Sequence, residues 1–490
     1  MYEKPDASRR KALKFLAGAP MLPLGLASTS LLAACGGGDD APAGNGSTPV
    51  TTPGATPTFA SAEFTGMPAP SLSNPAAMAT TTVGSSLKVT LSDGSSQTYK
   101  LAYQPFFMTG DLVPDGKGGQ ILAGGYFDIN NNPIIDPSVS GNRQFFSDSP
   151  DGTSLLKIDG AKVAGVKGNT VFAVVQFEYT TWDQAKVKDM YGRLPSPIAI
   201  LTLDQDPATG KLSLVKYHNV DTSGANGLWI TCGASLSPWN THLSSEEYEP
   251  DAFTAATNAQ CIEYARNLYG TSSIPFNPYL YGHLPEVTVN PDGTGSIKKH
   301  YCLGRISHEL VQVMPDNRTV LMGDDATNSG LFVFVADKEK DLSAGTLYVA
   351  KVGSGFSVDP AAPGADLTWI RLGHASSAQV EAWAKSHTIA DIMDVSTTDP
   401  ADATYTKIML SGVAQWIRVK AGKELVAAFL ETHRYAALMG GSMGFTKMEG
   451  TTVNIKDKVA YSALQNIVDS MVTNNTARGW YAQSNIGVPA

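Results

Sequence analysis

The sequence predicts an all-β fold: a β-propeller with a few inserted helices. Short β-like runs recur along it, with Asp, Asn, Gly and Pro turns between them. Helical spacing is confined to a few isolated stretches. The candidate folded region, residues 61–490, is long for a single hydrophobic core, and a propeller adds blades without enlarging one core.

The runs follow in chain order. Leu87–Leu91 precedes Ser92-Asp93-Gly94, and Thr170–Val175 is nearly continuous apolar sequence. Ile198–Leu203 and Leu212–Val215 flank Asp204–Lys211, a hairpin-like turn. Val287–Val289 and Ser296-Ile297 flank Asn290-Pro-Asp-Gly293. Val311–Val313, Thr319–Leu321, Leu331–Val335 and Thr346–Ala350 continue the series. Helices are expected over Phe253–Tyr269 and Ser376–Met393, with shorter ones over Leu425–Leu430 and Tyr461–Val472. No clean internal repeat gives a blade count.

The N-terminus is an address. Ser8-Arg9-Arg10-Lys11-Ala12-Leu13-Lys14 fits a twin-arginine export signal, and Leu32-Ala33-Ala34-Cys35 fits a lipoprotein cleavage site. The apolar stretch between them, broken by Pro20 and Pro23, falls short of the about 20 clean apolar residues of a membrane span. Residues 1–35 are therefore read as a signal, with Cys35 carrying the lipid that is the chain's sole membrane contact. The twin-arginine route carries folded proteins, which suits a chain that acquires a metal before export. Gly36 in place of Asp favours the outer membrane as the site of anchoring. Residues 36–60, rich in Gly, Ala, Pro, Ser and Thr, bury too little apolar surface to fold and read as a tether.

The formal charge is −9. Residues 1–34 carry five Lys/Arg against two acids, so the remainder holds −12. That excludes a nucleic-acid partner, which needs a basic footprint, and suits a protein that holds cations. The mature chain reads as a monomer. Beyond Cys35 there are three cysteines, Cys232, Cys261 and Cys302. In an oxidising compartment one disulfide is expected, with Cys261–Cys302 as the bridge and Cys232 free.

Chemistry concentrates in Thr231–Asp251, where the unpaired thiol of Cys232 precedes Glu246 and Glu247. On a strand the two glutamates would face opposite sides; beside a turn both could reach one ion cluster. A thiolate favours a transition metal, and carboxylates with carbonyls favour calcium. The alternative is a buried structural cysteine with solvated glutamates. Further polar knots end or precede strands: Gln176-Phe177-Glu178, His308-Glu309, Asp324-Asp325 and Lys447-Met448-Glu449. Singly each is as readily a turn or a surface pair; together they could converge on a propeller's axial channel.

The run C-G-A-S-L-S-P-W-N-T-H-L-S-S-E-E from Cys232 to Glu247 resembles the signature C-G-G-x-T-P-W-G-T-W-L-T-C-E-E of PhoX-type alkaline phosphatases. His308-Glu309, Met322–Asp325 and Met448–Gly450 occur in that family's order, and Phe146–Thr153 resembles its early segment. The resemblance implies a propeller with an axial cluster of iron and calcium that hydrolyses phosphomonoesters. It implies Cys232 as an iron ligand and Glu246, Glu247, Glu309 and Glu449 as carboxylate ligands of iron or calcium. Asp325 or its neighbour Asp324 would bind calcium, and Lys447 would face the phosphate. Gln176 and Glu178 stand where the family has N-H-E, so Gln176 offers an amide oxygen from a longer arm at a calcium site. Lys447 replaces an Arg and keeps the charge without the bidentate fork. The family continues past the point where this chain stops, and Arg478–Ala490 reads as the approach to another strand. A propeller without its closing blades is the resulting expectation. Two other readings stay open: a non-catalytic metal-binding propeller acting as a binding module, and another metal-dependent esterase, a phosphodiesterase or lactonase.

Overall fold

Hairpin chemistry builds most of the chain. In Leu284–Val289 and Gly295–His300 the alternating residues pair antiparallel from Leu284↔His300 to Val289↔Gly295. The turn between them closes with Asn290 N donating to Thr294 O, and Gly293 takes φ +76°, a backbone shape glycine adopts without penalty. The Ile198–Gln205 and Leu212–Asn219 strands join the same way through Asp204–Lys211. The computed structural model describes residues 56–69, 71–74, 76 and 83–489. The export signal, Cys35 and most of the tether lie outside them.

The described chain forms two compact units. The smaller is a three-stranded antiparallel sheet of Phe59–Thr65, Ser86–Leu91 and Ser96–Lys100. The larger contains the rest. Within it, small antiparallel sheets follow one another along the chain, which is the blade-by-blade organisation of a propeller. Pro150–Leu156, Asn169–Phe177, Ile198–Gln205 and Leu212–Asn219 form one four-stranded meander. A second contains Ser235–Leu236, His242–Leu243, Leu284–Val289 and Gly295–His300. A five-stranded sheet follows: His308–Val313, Thr319–Asp324, Phe332–Lys338, Asp341–Val352 and Leu367–Ser376. Met393–Ser396, Thr406–Leu410 and Val413–Val419 make a three-stranded sheet, and Met448–Asn454 pairs with Val459–Leu464. The largest apolar cluster runs from Trp229 and Tyr264 through Phe332, Phe334 and Leu347 to Phe429, joining the second and third sheets to the helices.

Helix α1, Ala259–Tyr269, is capped by the Asn258 side chain and ends on Gly270 in the left-handed conformation. It occupies the second half of the Phe253–Tyr269 stretch. Helix α2, Ser377–Ser386, and the single turn α3, Ile389–Ile392, divide the Ser376–Met393 stretch at His387-Thr388. Helix α4, Glu424–Leu430, forms where expected. Helix α5, Thr432–Leu438, was not anticipated; it continues from α4 after a break at Glu431. Tyr461–Val472 is not a helix: Val459–Leu464 is a strand, and Asp469–Met471 is one 3-10 turn. Hairpin pairing with Met448–Asn454 overrides the weak helical period there. Residues 478–489 form a loop that makes one parallel bridge, Val472↔Val488.

The Cys261–Cys302 disulfide is also corrected. All three described cysteines are free. Cys261 is buried on α1, whereas Cys302 Sγ lies 3.2 Å from Leu342 O and accepts from Ser377 Oγ at 3.2 Å. Each thiol is thus held by its own surroundings. Alkylation of the denatured, unreduced protein should label Cys232, Cys261 and Cys302, read by peptide mass spectrometry; a Cys261–Cys302 crosslinked peptide would refute this assignment.

Candidate metal centre

The sheets are laced together where their strands end. Glu178 N donates to Ser149 O, Gly152 N to Cys232 O, and Glu247 N to Ile230 O. His308 N donates to Glu246 O, Asp325 N to Ser307 O, and Lys447 N to Ala326 O. Segments distant in sequence are thereby brought edge to edge, and the acidic residues stand beside these bonds. Two glycines permit the closest approaches. A Cβ on Gly233 would lie 2.7 Å from Glu309 Oε2, and one on Gly323 would lie 2.3 Å from Met448 O. Ile230 has φ +38° and Tyr248 φ +48°. For a β-branched residue such as Ile230 this is a strained conformation that only its surroundings can hold.

Two groups of ligand atoms result, each with all members within 4.8 Å of one another: Cys232, Glu247 and Glu309, and Asp151, Glu178 and Cys232. The thiol belongs to both. Its Sγ is 3.9 Å from Asp151 Oδ2, and Gly233 N donates to Glu309 Oε2 at 3.2 Å. Burial, with Glu309 and Glu247 beside it, pushes the Cys232 thiol well above its usual range. Burial likewise raises Glu247, reinforced by Asp325 and Glu309, and raises Glu309, reinforced by Asp325 and Glu449. Asp325 is buried too, but its contact with Glu247 and the charge of Lys447 hold it below the usual carboxylate range. Asp325 Oδ1 takes no donor from the protein. Crowded acceptors with an undonated buried oxygen fit a cation, and a bound cation would draw the protons off thiol and glutamates.

Lys447 closes one side. Its Nζ is 3.0 Å from Asp325 Oδ2 and 3.1 Å from Asp325 O, and it also bonds the Tyr248 hydroxyl. Glu449 accepts from Gln465 Nε2 at 2.6 Å and acts electrostatically on Glu309.

Three expected ligands are turned elsewhere. Glu246 accepts from Trp229 N (3.0 Å), Gly282 N (2.9 Å), His283 N (3.0 Å) and Lys299 Nζ (2.8 Å). Four donors saturate its two oxygens, so Glu246 is a structural carboxylate in a fully buried ion pair. Gln176 gives its amide nitrogen to Cys232 O and Gly233 O and turns its oxygen to His242, away from the other expected ligands. Asp324 points to α5, where His433 Nε2 is 2.5 Å from its Oδ2. Burial alone would lower His433, but Asp324 and Glu249 on either side hold it charged. Of the adjacent aspartates, Asp325, just past the strand's end, joins the cluster through Glu247 and Lys447.

Sequence reasoning missed Asp151, Tyr248 and His433. Asp151 sits in the quoted early segment, and strand-end position was its available signal. Tyr248 directly follows Glu247. His433 lies in a helix that was not expected, and nothing local marks it.

A β-sheet body with a thiol and carboxylates gathered where its sheets meet defines a metal-dependent hydrolase class when set beside its relatives. The model of the alkaline phosphatase PhoX family matches residues 129–485, and the chain belongs to that family of phosphoric monoester hydrolases. The structure of Pseudomonas fluorescens PhoX in complex with vanadate, a transition state analogue, is similar at 17% identity. That match covers 76% of this chain and 69% of the other, with a TM-score of 0.43. No curated protein matches the chain.

The adjacent glutamates give opposite predictions. Glu246→Gln leaves Lys299 buried without its counter-charge and should cost about 3–5 kcal/mol. Without metal Glu247 keeps its proton, so Glu247→Gln exchanges one neutral group for another of the same shape, and should leave the chelator-treated protein equally or more stable, while lowering its metal content. Denaturant unfolding with chelator, beside elemental analysis of loaded protein, checks both signs.

Proposed function

We propose that this chain is a metal-dependent alkaline phosphatase that releases inorganic phosphate from small phosphomonoesters. We further propose that it is exported and held at the envelope through a lipid on Cys35, as a monomer. The observation that carries the activity is the convergence of Cys232, Glu247, Glu309, Asp151, Glu178 and Asp325 beside Lys447. The thiol suits iron, and the carboxylates suit calcium. Cys232, Glu247 and Glu309 would hold the softer metal; Asp325, Glu449 and Glu178 would supply oxygen ligands for calcium.

Cations bound there would neutralise phosphate oxygens, stabilise the leaving alkoxide and lower the pKa of an attacking water. Phosphoryl transfer asks for positioning and charge more than covalent help. Lys447 supplies a positive charge at the cluster's edge. Asp325 and Tyr248 hold its ammonium in place, so it meets a phosphate oxygen by exchanging one of these partners for the substrate. An ammonium is a point charge, so contact with phosphate through Lys447 is single rather than forked. An export route for folded proteins suits a cluster assembled before the chain leaves the cytoplasm.

Purified protein loaded with iron and calcium should hydrolyse a generic phosphomonoester far faster than the matching diester or a lactone. No turnover with both metals confirmed bound would sink the reading. Cys232→Ala should lose iron and activity together without unfolding. Lys447→Ala should retain the metals and lose about 100-fold in kcat/KM. Metal uptake should release protons and weaken as pH falls, because thiol and glutamates must shed protons they hold unusually tightly. Calorimetry in buffers of different ionisation enthalpy reads this directly.

A further inference from the structure

Behind the thiol lies a row of buried polar side chains to which nothing above gives a task. Ser154 stands on the Pro150–Leu156 strand, Gln176 on Asn169–Phe177, and His242 on His242–Leu243 in the next sheet. His242 and Gln176 are both 0% exposed. His242 Nδ1 is 2.9 Å from Ser154 Oγ, and its Nε2 is 3.0 Å from Gln176 Oε1. Gln176 Nε2 donates to Cys232 O and, at 3.2 Å, to Gly233 O.

The donor and acceptor roles are determined by this pattern. Gln176 spends its N–H groups on two carbonyls, so the oxygen facing His242 can only accept. His242 Nε2 therefore carries hydrogen. Burial lowers the ring's pKa to about 3, so the imidazole is neutral and its Nδ1 accepts from the Ser154 hydroxyl. Donation runs one way: Ser154 to His242, His242 to Gln176, Gln176 to the peptides on either side of Gly233.

The first of those peptides starts at Cys232 itself, and the second is the next along the chain. Cys232 O takes Gly152 N as well as Gln176, and Gly233 O takes Ser245 Oγ at 2.7 Å as well as Gln176. Both lone pairs of each carbonyl are thus engaged. The strained Ile230 lies two residues upstream and needs such over-determination to persist. The two residues also depart together from the signature quoted above: His242 takes the place of its second Trp, Gln176 that of the Asn in N-H-E, and they meet in space.

We propose that His242 and Gln176 are positioning residues for the Cys232 thiolate, fixing its peptide planes so that Sγ faces Glu247 and Glu309. This rests on the metal-centre reading. The test is His242→Phe, which keeps a ring and removes both nitrogens, beside His242→Gln, which returns a donor to Gln176.

Iron affinity and the visible thiolate-to-iron charge-transfer band are measured with the melting temperature. His242→Phe should weaken iron binding about 10–100-fold and move the band, as loss of an outer hydrogen-bond partner does. His242→Gln should recover both to within about threefold of the parent. A His242→Phe protein with the parent's band and affinity overturns the proposal. So does a fall in melting temperature alone, which is what plain packing would give. Should His242→Phe fail to fold, Gln176→Met and Ser154→Ala test the two ends of the row by the same readouts. A parent that binds no iron defeats the metal-centre reading instead. The row is then read on Cys232 alkylation in the metal-free protein. His242→Phe should speed it about 10-fold, by analogy with the loss of an outer partner, and an unchanged rate overturns the proposal.

Discussion

Cys232, Glu247, Glu309 and Asp325 share a space in which their charges cannot all exist without cations. Two like charges 4 Å apart repel by about 4 kcal/mol at an effective dielectric of 20, and a domain's whole stability is about 5–15 kcal/mol. The protein alone meets this by keeping protons: thiol and glutamates are pushed up, and Asp325 is pulled down by its contact with Glu247 and by Lys447. Holding such groups together needs a frame that does not relax away from them. Backbone hydrogen bonds supply it, joining 152 to 232, 230 to 247, 307 to 325 and 326 to 447. Each bond costs the ligand side chains nothing, because main-chain groups make it. The sheets behind them are stabilised by ordinary apolar burial.

The hairpins were legible because their signals are local. Asn290-Pro-Asp-Gly293 between alternating runs leaves one sensible pairing, and the structure has it. Cys232, Glu309 and the pairs Glu246-Glu247 and Asp324-Asp325 stood out because a low-charge chain makes acids near strand ends and a lone thiol conspicuous. Glu246 was not separable from Glu247, since the two share a residue type and a neighbourhood. What separates them is Lys299, more than 50 positions away, together with three peptide N–H groups. Asp324 differs from Asp325 for the same reason: His433 arrives from α5. Partners that are distant in sequence decide whether a buried carboxylate is structural or left for a cation, and spacing carries no trace of them.

The cysteine expectation failed on a different ground. An oxidising address makes a disulfide available, but geometry decides whether one forms. Cys261 packs into the aromatic core on α1, and Cys302 is engaged by Ser377 and Leu342 O. Cys232 alone sits among acids. Three thiols of one residue type thus fall into two environments, and only one environment has chemistry to offer.

Gln176 was expected to offer its amide oxygen to calcium, and the structure engages it with other partners. Gln176 lies near the end of its strand, and Glu178 just past that end. Both turn toward Cys232, and they divide it between them. Glu178 lies within 4.8 Å of the sulfur, while Gln176 holds the carbonyl of the same residue. A carboxylate in Gln176's place would set a negative charge against two carbonyl oxygens. An amide donates to them and leaves its own oxygen for His242. The residue type therefore follows from the carbonyls it faces, and it leaves the negative charge of the centre to the carboxylates that can give it to a cation.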